Sequence, residues 1–441
     1  MSTRKTLTIR MYNVGFGDCF LIEIPAPKQP RRVLIDCGSH KKGRGPRPIK
    51  QVIEQLITHL KGKDGDEPVR PHLDVLIVTH RHEDHISGFV ETELWKKVTV
   101  DEIWMPWTEN PHDAEAMRLR DKQKQRALEL MGYLETLSEA EEPYLAAARA
   151  LVQNSSWSEK PMDMLYNGFT SRSGSKPLMR YLPDKKATPS FTTDALPGVS
   201  VHVLGPPRDP AMLRERDPPL KRRYLRLDAA APAPAPADDQ APDQGAEADA
   251  EPEDTRPPFA DRFVLPWQTG QELPPAMAHL GLSATTLALI DESDRSGGAL
   301  AEAAALEANL NATSLMLMLE IGQAFLLCPG DQQWLAWQKV LDDERGSELL
   351  RRTTFYKVGH HGSFNATPRD FIEELLGEHV YAMVPTLNRG GKPWKEIPKL
   401  PLLTGLREKH AYVIRSDQAE PDEPRGVHRE GDEYVEVHLP Y

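Results

Sequence analysis

Apolar and polar positions alternate from the first residues onward. Thr6 to Val14, TLTIRMYNV, places Leu7, Ile9 and Met11 on one side, the period of a strand with one buried face. CFLIEIP (Cys19–Pro25) is a compact apolar run, and RRVLIDCGS (Arg31–Ser39) predicts a third strand ending at Gly38. The spacing then changes. PIKQVIEQLITHLKG has helical period and closes at Gly62. LDVLIVTH (Leu73–His80) has the continuous apolar character of a strand buried on both faces, and VDEIWMPW (Val100–Trp107) predicts another strand.

Beyond Pro111 the pattern is charged, rich in Ala, Leu, Glu and Arg, and helical to about Gln153, as expected of a helical insertion. Strand character returns in GVSVHVLGPP (Gly198–Pro207). A helical patch over Gly298–Asn309 precedes TSLMLMLEIGQAFLLCPGD (Thr313–Asp331), which reads as two strands joined by a Gly-containing turn. Residues 333–342 and 368–376 are expected to be helical, RRTTFYKVGHHGS to be strand then loop, and HVYAMVPT, AYVIRS and EYVEVHLP to be strands. A β-rich beginning and end, with helices between strands, predict a layered α/β (α+β) fold of two similar halves. The expected divisions are 1–107 and 311–441 for the halves, 108–175 for the helical insertion, 176–207 for the return to the core, and 208–310 for a second insertion.

Charge locates the part of that second insertion that stays outside any core. The 441-residue chain has a formal net charge of −12. Nine acidic and no basic residues lie between Asp228 and Asp254, so the rest of the chain is close to neutral. This Ala/Pro-rich acidic stretch has almost no apolar content to offset the entropy of ordering, and 228–258 is expected to be disordered. Seven basic residues against three acidic precede it, from Arg208 to Arg226. They read either as phosphate contacts or as a solvated linker balanced by the acidic tract. Protease processing within 208–258 is a further expectation. No stretch of about 20 apolar residues is present, so no membrane span is expected. The N-terminus lacks the apolar core of a signal peptide, and Cys19, Cys37 and Cys328 are scattered, both consistent with a cytoplasmic chain.

Chemistry concentrates at two strand ends. Five of the 15 histidines fall in two short loops. In THRHEDHISG, His80 and His82 lie at i and i+2 and can converge on one ion. Asp84 and His85 can reach a second position if the chain turns into a helix there, with Gly88 permitting close packing beneath. Imidazole and carboxylate without thiolate suit Zn²⁺, Mn²⁺ or Fe²⁺ in an open, catalytic site. His360 and His361 sit in a Gly-flanked loop. Asp331 closes FLLCPGD, either as a helix N-cap or as a carboxylate between metals.

These three elements, with NVGFGDCFLIE and LIDCGS, resemble the metallo-β-lactamase superfamily, and within it the hydrolase domain of ComEC-like competence proteins. The resemblance covers residues 6–107, 196–207 and 312–440. It implies an αββα sandwich with two divalent ions, zinc or manganese, at one edge. His80 and His82 match ligands of the first ion, Asp84 and His85 of the second, Asp331 the bridging carboxylate, and His360 the last ligand. His361 is expected either as that ligand instead or as a proton donor. Asp36 resembles a carboxylate that orients the metal loop, with Asp18 nearby. Many members carry one more histidine between the first motif and the bridging carboxylate. His112, His202 and His279 are the only histidines in between; the first two insertions hold His112 and His279, and His202 lies in a strand where a structural role is expected. The first site is therefore expected to be the weaker. The resemblance implies a hydrolase in which Asp84 orients or deprotonates a water, while His361, Ser363 or Lys357 meets the developing charge. A phosphodiesterase or nuclease acting on nucleic acid or a small phosphoester is the leading expectation. The alternatives are a hydrolase of an ester, lactone, thioester or phosphocholine-type compound, and a non-catalytic scaffold.

Overall fold

The computed structural model describes residues 5–41, 43–61, 70–136, 148–149, 152, 159–185, 189–213, 222, 303–363, 365–387, 397–421 and 423–441. The acidic stretch 228–258, the other residues between 223 and 302, and most of the basic run lie outside them. Unit one of the chain comprises Met1–Leu227 with Ala299–Tyr441.

Fifteen strands form two mixed sheets among the described residues. The first contains β1 (Thr6–Tyr12), β2 (Phe20–Ile24), β3 (Arg31–Ile35), β4 (His72–Ile77), β5 (Thr99–Pro106), β6 (Leu178–Leu182), β14 (His428–Glu430) and β15 (Tyr434–Pro440), in the order β14-β15-β1-β2-β3-β4-β5-β6. The second contains β7 (Ser190–Phe191), β8 (Val199–Gly205), β9 (Met316–Ile321), β10 (Ala324–Cys328), β11 (Phe355–Lys357), β12 (Tyr381–Val384) and β13 (Tyr412–Arg415), in the order β13-β12-β11-β10-β9-β8-β7. Each sheet combines antiparallel neighbours with a parallel run: β3 to β6 in the first, β10 to β13 in the second.

The alternation in the sequence maps onto the layers. Leu7, Ile9 and Met11 of β1 and Val75 and Ile77 of β4 pack with Leu317, Leu319 and Ile321 of β9 in one core shared by the sheets. The opposite face of the first sheet, with Leu34, Leu76 and Val78, packs against Ile53, Leu56 and Leu60 of α1 (Ile49–Leu60). β4 has helix on one face and sheet on the other, which is why its apolar run is nearly unbroken. The opposite face of the second sheet packs against the later helices, including Trp337 and Leu403.

The expected halves exchange strands. β15 pairs with β1 along its whole length, so the C-terminal segment closes the first sheet. Within 176–207, β6 joins the first sheet while β7 and β8 join the second. In the insertion 108–175, Ala114–Thr136 is helical, and 137–147 lie outside the described residues. No described helix is long and apolar enough to cross a membrane.

Candidate metal centre

Parallel strands deliver their C-terminal ends to one edge, and there the sequence-distant clusters meet. β4 runs into Thr79–His85 and the short helix α2 (Glu83–Ile86). β10 and β11, parallel neighbours, run into Asp331 and into the loop Gly359–Gly362.

Asp84, His85, Asp331 and His361 are all buried, and each offers a ligand atom within 4.8 Å of the others. His361 Nε2 is 3.0 Å from Asp84 Oδ2, and His85 Nε2 is 3.3 Å from Asp331 Oδ2. Each ring is held from behind. His361 Nδ1 donates to the carbonyl oxygen of Pro385 at 2.9 Å, and His85 Nδ1 lies 2.8 Å from Asp36 Oδ2. Both rings therefore turn Nε2 toward the carboxylates, the orientation that backing acceptors impose on metal-binding histidines.

Electrostatics describe the same place. Burial lowers the His85 pKa, but the carboxylates of Asp331, Asp84, Asp18 and Asp36 outweigh it and hold the ring well above its ordinary value. His361 is likewise raised: burial opposes, and Asp84 and Asp18 prevail. Asp84 and Asp331 go the other way, burial raising and His85 lowering each of them, with a result well below the ordinary carboxylate value. A site that stabilises this many buried negative charges suits a cation. Asp84 Oδ1 is buried with no hydrogen-bond partner, an acceptor without a donor. Two imidazole nitrogens and two carboxylates are a donor set that could hold Zn²⁺ or Mn²⁺.

His80 and His82 stand beside this group rather than in it. His80 Nε2 is 2.9 Å from His82 Nδ1, and the His80 and His85 ring centroids are 4.1 Å apart. Burial, reinforced by His85, holds His80 well below its usual value; burial also takes His82 down to about 4 despite the opposing pull of Asp84. Both present neutral nitrogen. No convergent group of three among the described residues includes them. His112 is exposed, and His202 pairs with Glu320 at 2.8 Å across β8 and β9, the structural role expected of it. His279 lies outside the described residues.

Of the two histidines left as alternatives for the last ligand, His361 is in the four-residue group and His360 is not. The His360 amide donates to Asp331 Oδ1 at 3.0 Å, and its Nδ1 lies 2.8 Å from Ser363 Oγ and 3.2 Å from Asn365 Oδ1. Both histidines have positive φ, 45° and 53°, and this left-handed turn swings the second ring inward.

Asp36 and Asp18 hold the framework. Asp36, itself at φ 54°, accepts from the Thr79 amide at 2.7 Å and from the Thr79 hydroxyl at 2.6 Å. Asp18 forms a buried ion pair with Lys357. Burial lowers the Lys357 pKa, the carboxylates of Asp18 and Asp331 more than compensate, and the ammonium stays charged. Lys357 is fully buried, so it holds Asp18 rather than meeting a substrate. The loops pack backbone to backbone: the Asp18 amide donates to the Asp84 carbonyl at 3.0 Å and the Cys37 amide to the His85 carbonyl at 2.9 Å. A Cβ on Gly38 would lie 2.4 Å from the Asp84 carbonyl carbon, and one on Gly88 2.6 Å from the Cys37 oxygen, so this approach requires glycine at both.

Sequence reasoning missed Thr79, Asn365, Gln333 and Phe16. Gln333 Oε1 accepts from Asn365 at 3.2 Å, and Phe16 meets His361 edge-on with centroids 5.4 Å apart. Thr79, adjacent to His80, and Phe16, within NVGFGDCFLIE, had a positional signal. No protein-family model matches the chain, and no curated protein matches it.

Proposed function

We propose that this protein is a metal-dependent hydrolase with the αββα architecture of the metallo-β-lactamase superfamily, of the ComEC-like kind, and that it cleaves phosphodiesters. One observation carries the reading: Asp84 and His85, Asp331, and His361 come from three separate segments yet meet as one buried group. We assign Zn²⁺ or Mn²⁺ to that group, with His80 and His82 as a weaker neighbouring site.

An ion there supplies a Lewis acid and a water that ionises near neutral pH. The side chains do the rest. Asp84 Oδ1, buried and without a donor, accepts the proton of the attacking water. The Pro385 carbonyl and Asp36 fix the His361 and His85 rings, so no reorganisation is needed when charge develops. His360 is less buried than the four grouped residues, and Ser363 and Asn365 hold its Nδ1.

The test is hydrolysis of bis(p-nitrophenyl) phosphate and of single- and double-stranded DNA with Mn²⁺ or Zn²⁺, beside carboxylic ester, lactone and thioester substrates. Metal-dependent phosphodiester cleavage lost in the His80→Ala, Asp84→Ala double variant is expected. Cleavage confined to the carboxylic substrates would overturn the phosphodiester assignment. An absence of bound metal under all loading conditions would overturn the hydrolase reading itself.

A further inference from the structure

A second feature adjoins the centre, in a segment that the motifs leave out. Between Ser39 and Lys50 the chain carries Lys41, Arg44, Arg47 and Lys50, and these line a cavity of about 520 Å³. The opposite wall is the back of the metal loop: Glu83, Ile86 and Ser87 belong to or directly follow α2, which carries Asp84 and His85 on its other side. The two walls are tied together, since the Ser39 amide donates to Ser87 Oγ at 2.9 Å and Ser87 Oγ donates to the Ser39 carbonyl at 3.0 Å. The basic segment also reaches the centre by a second route. The Phe16 amide donates to Gly43 O at 2.7 Å, and the Phe16 ring meets His361.

The charges are not balanced within the cavity. Lys41 pairs with Glu83 at 3.0 Å, and Arg47 turns away to Glu433 at 2.5 Å. Arg44 and Lys50 are exposed, and among the described residues neither makes an ion pair or a side-chain hydrogen bond. The N-terminus of α1 opens at the same place. Its N-cap is Pro48, no side chain caps it, and its first turn holds no acidic residue. A 12-residue helix presents partial positive charge and free amides there, which favours an anion. Two unpaired cations, an uncapped helix start and a cavity one helical turn from the metal loop all select the same chemistry.

We propose that this cavity binds a phosphate of the substrate strand remote from the scissile bond, with Arg44 and Lys50 as its contacts. The occupant is the phosphate backbone of a nucleic-acid strand. The inference rests on the phosphodiester reading above and deepens it. It moves the phosphate contacts from the Arg208–Arg226 run to Arg44 and Lys50, residues that stand beside the site.

The test is fluorescence anisotropy of a short, 5′-labelled phosphorothioate single strand, which resists cleavage, on metal-loaded full-length protein. Its affinity is measured against salt for the wild type and for Arg44→Ala/Lys50→Ala. Two lost phosphate contacts on a single strand are expected to reduce the slope of log K against log salt by about 1.4, and the affinity at 0.1 M salt about 25-fold. Arg44→Lys, which keeps the charge, is expected to retain the wild-type slope. A Lys97→Ala/Lys122→Ala variant, which removes equal charge elsewhere, should bind as the wild type does. An unchanged slope in Arg44→Ala/Lys50→Ala, or an equal loss in the control variant, overturns the proposal. So does displacement of the strand by low millimolar inorganic phosphate, which would make free phosphate the occupant. The measurement needs no turnover. Failure to hydrolyse any phosphodiester would therefore defeat the functional reading by a separate result.

Discussion

Asp36 gives the most discriminating perturbation, because replacing one of its oxygens changes where a proton resides. Asp36 Oδ1 accepts from the Thr79 amide, while Oδ2 takes both the Thr79 hydroxyl and His85 Nδ1. In Asp36→Asn the amide oxygen keeps the first contact, and asparagine tolerates the left-handed backbone. The amide NH₂ then replaces Oδ2. The Thr79 hydroxyl can rotate to accept from it, but His85 Nδ1–H cannot, because two N–H groups would face each other. The ring escapes by carrying its proton on Nε2, the nitrogen 3.3 Å from Asp331 Oδ2. That nitrogen no longer offers a lone pair to an ion. Loss of such a backing partner lowers metal affinity by about 10–100-fold, or about 1.4–2.7 kcal/mol. With excess metal, linkage removes the same amount from metal-induced stabilisation. The assay is a competition titration of zinc against a chromophoric chelator, paired with thermal melts with and without zinc. The expected result is a near-native melt without metal and a diminished zinc-induced shift. Wild-type zinc affinity in Asp36→Asn would refute the argument that Asp36 sets the His85 tautomer.

Three further outcomes follow from the geometry. His361→Ala should lower bound zinc per chain far more than His360→Ala, since only His361 belongs to the convergent group; metal content by mass spectrometry decides, and the reverse order would reinstate His360. Lys357→Met strands the buried Asp18 carboxylate and should destabilise the protein by about 3–5 kcal/mol in urea denaturation, with Asp18→Asn added to it recovering part of the loss. His59, whose Nδ1 lies 2.7 Å from the Tyr12 hydroxyl, has its pKa lowered to about 4 by burial and by Arg10. Its unfolded form binds the proton first, so this contribution to stability is fully present above pH 6.5 and is lost as pH falls toward 4. His59→Gln should flatten the thermal stability profile across that window, and an unaltered profile would exclude His59 as its source.

What could be read in the sequence was local. The alternation of Leu7, Ile9 and Met11 and the unbroken run Leu73–Val78 reported strands and their burial directly. His80-x-His82-x-Asp84-His85 announced a ligand-rich turn because its members are neighbours in sequence. Which of His360 and His361 faces the centre was not legible. That choice depends on two positive φ angles and on the carbonyl of Pro385, 24 residues away. The pairing of β15 with β1 was hidden for the same reason, since a strand's alternation shows its faces but not its partner. The basic residues from Lys41 to Lys50 carried no motif, and only tertiary packing places them beside the metal loop.

The pairing of β8 with β9 bears on how this chain tolerates change. The two strands are antiparallel neighbours, with Val201 opposite Leu319, although the long segment between Gly205 and Met316 separates them in sequence. The entropic cost of joining two paired strands grows only with the logarithm of the length of the connection, about 0.6 kcal/mol per doubling. Residues can therefore accumulate or disappear between these strands at small energetic expense, while the register that positions Ser314 and Asp331 stays fixed by the sheet. Lineages could vary this segment in length and composition without retuning the chemistry at the far edge.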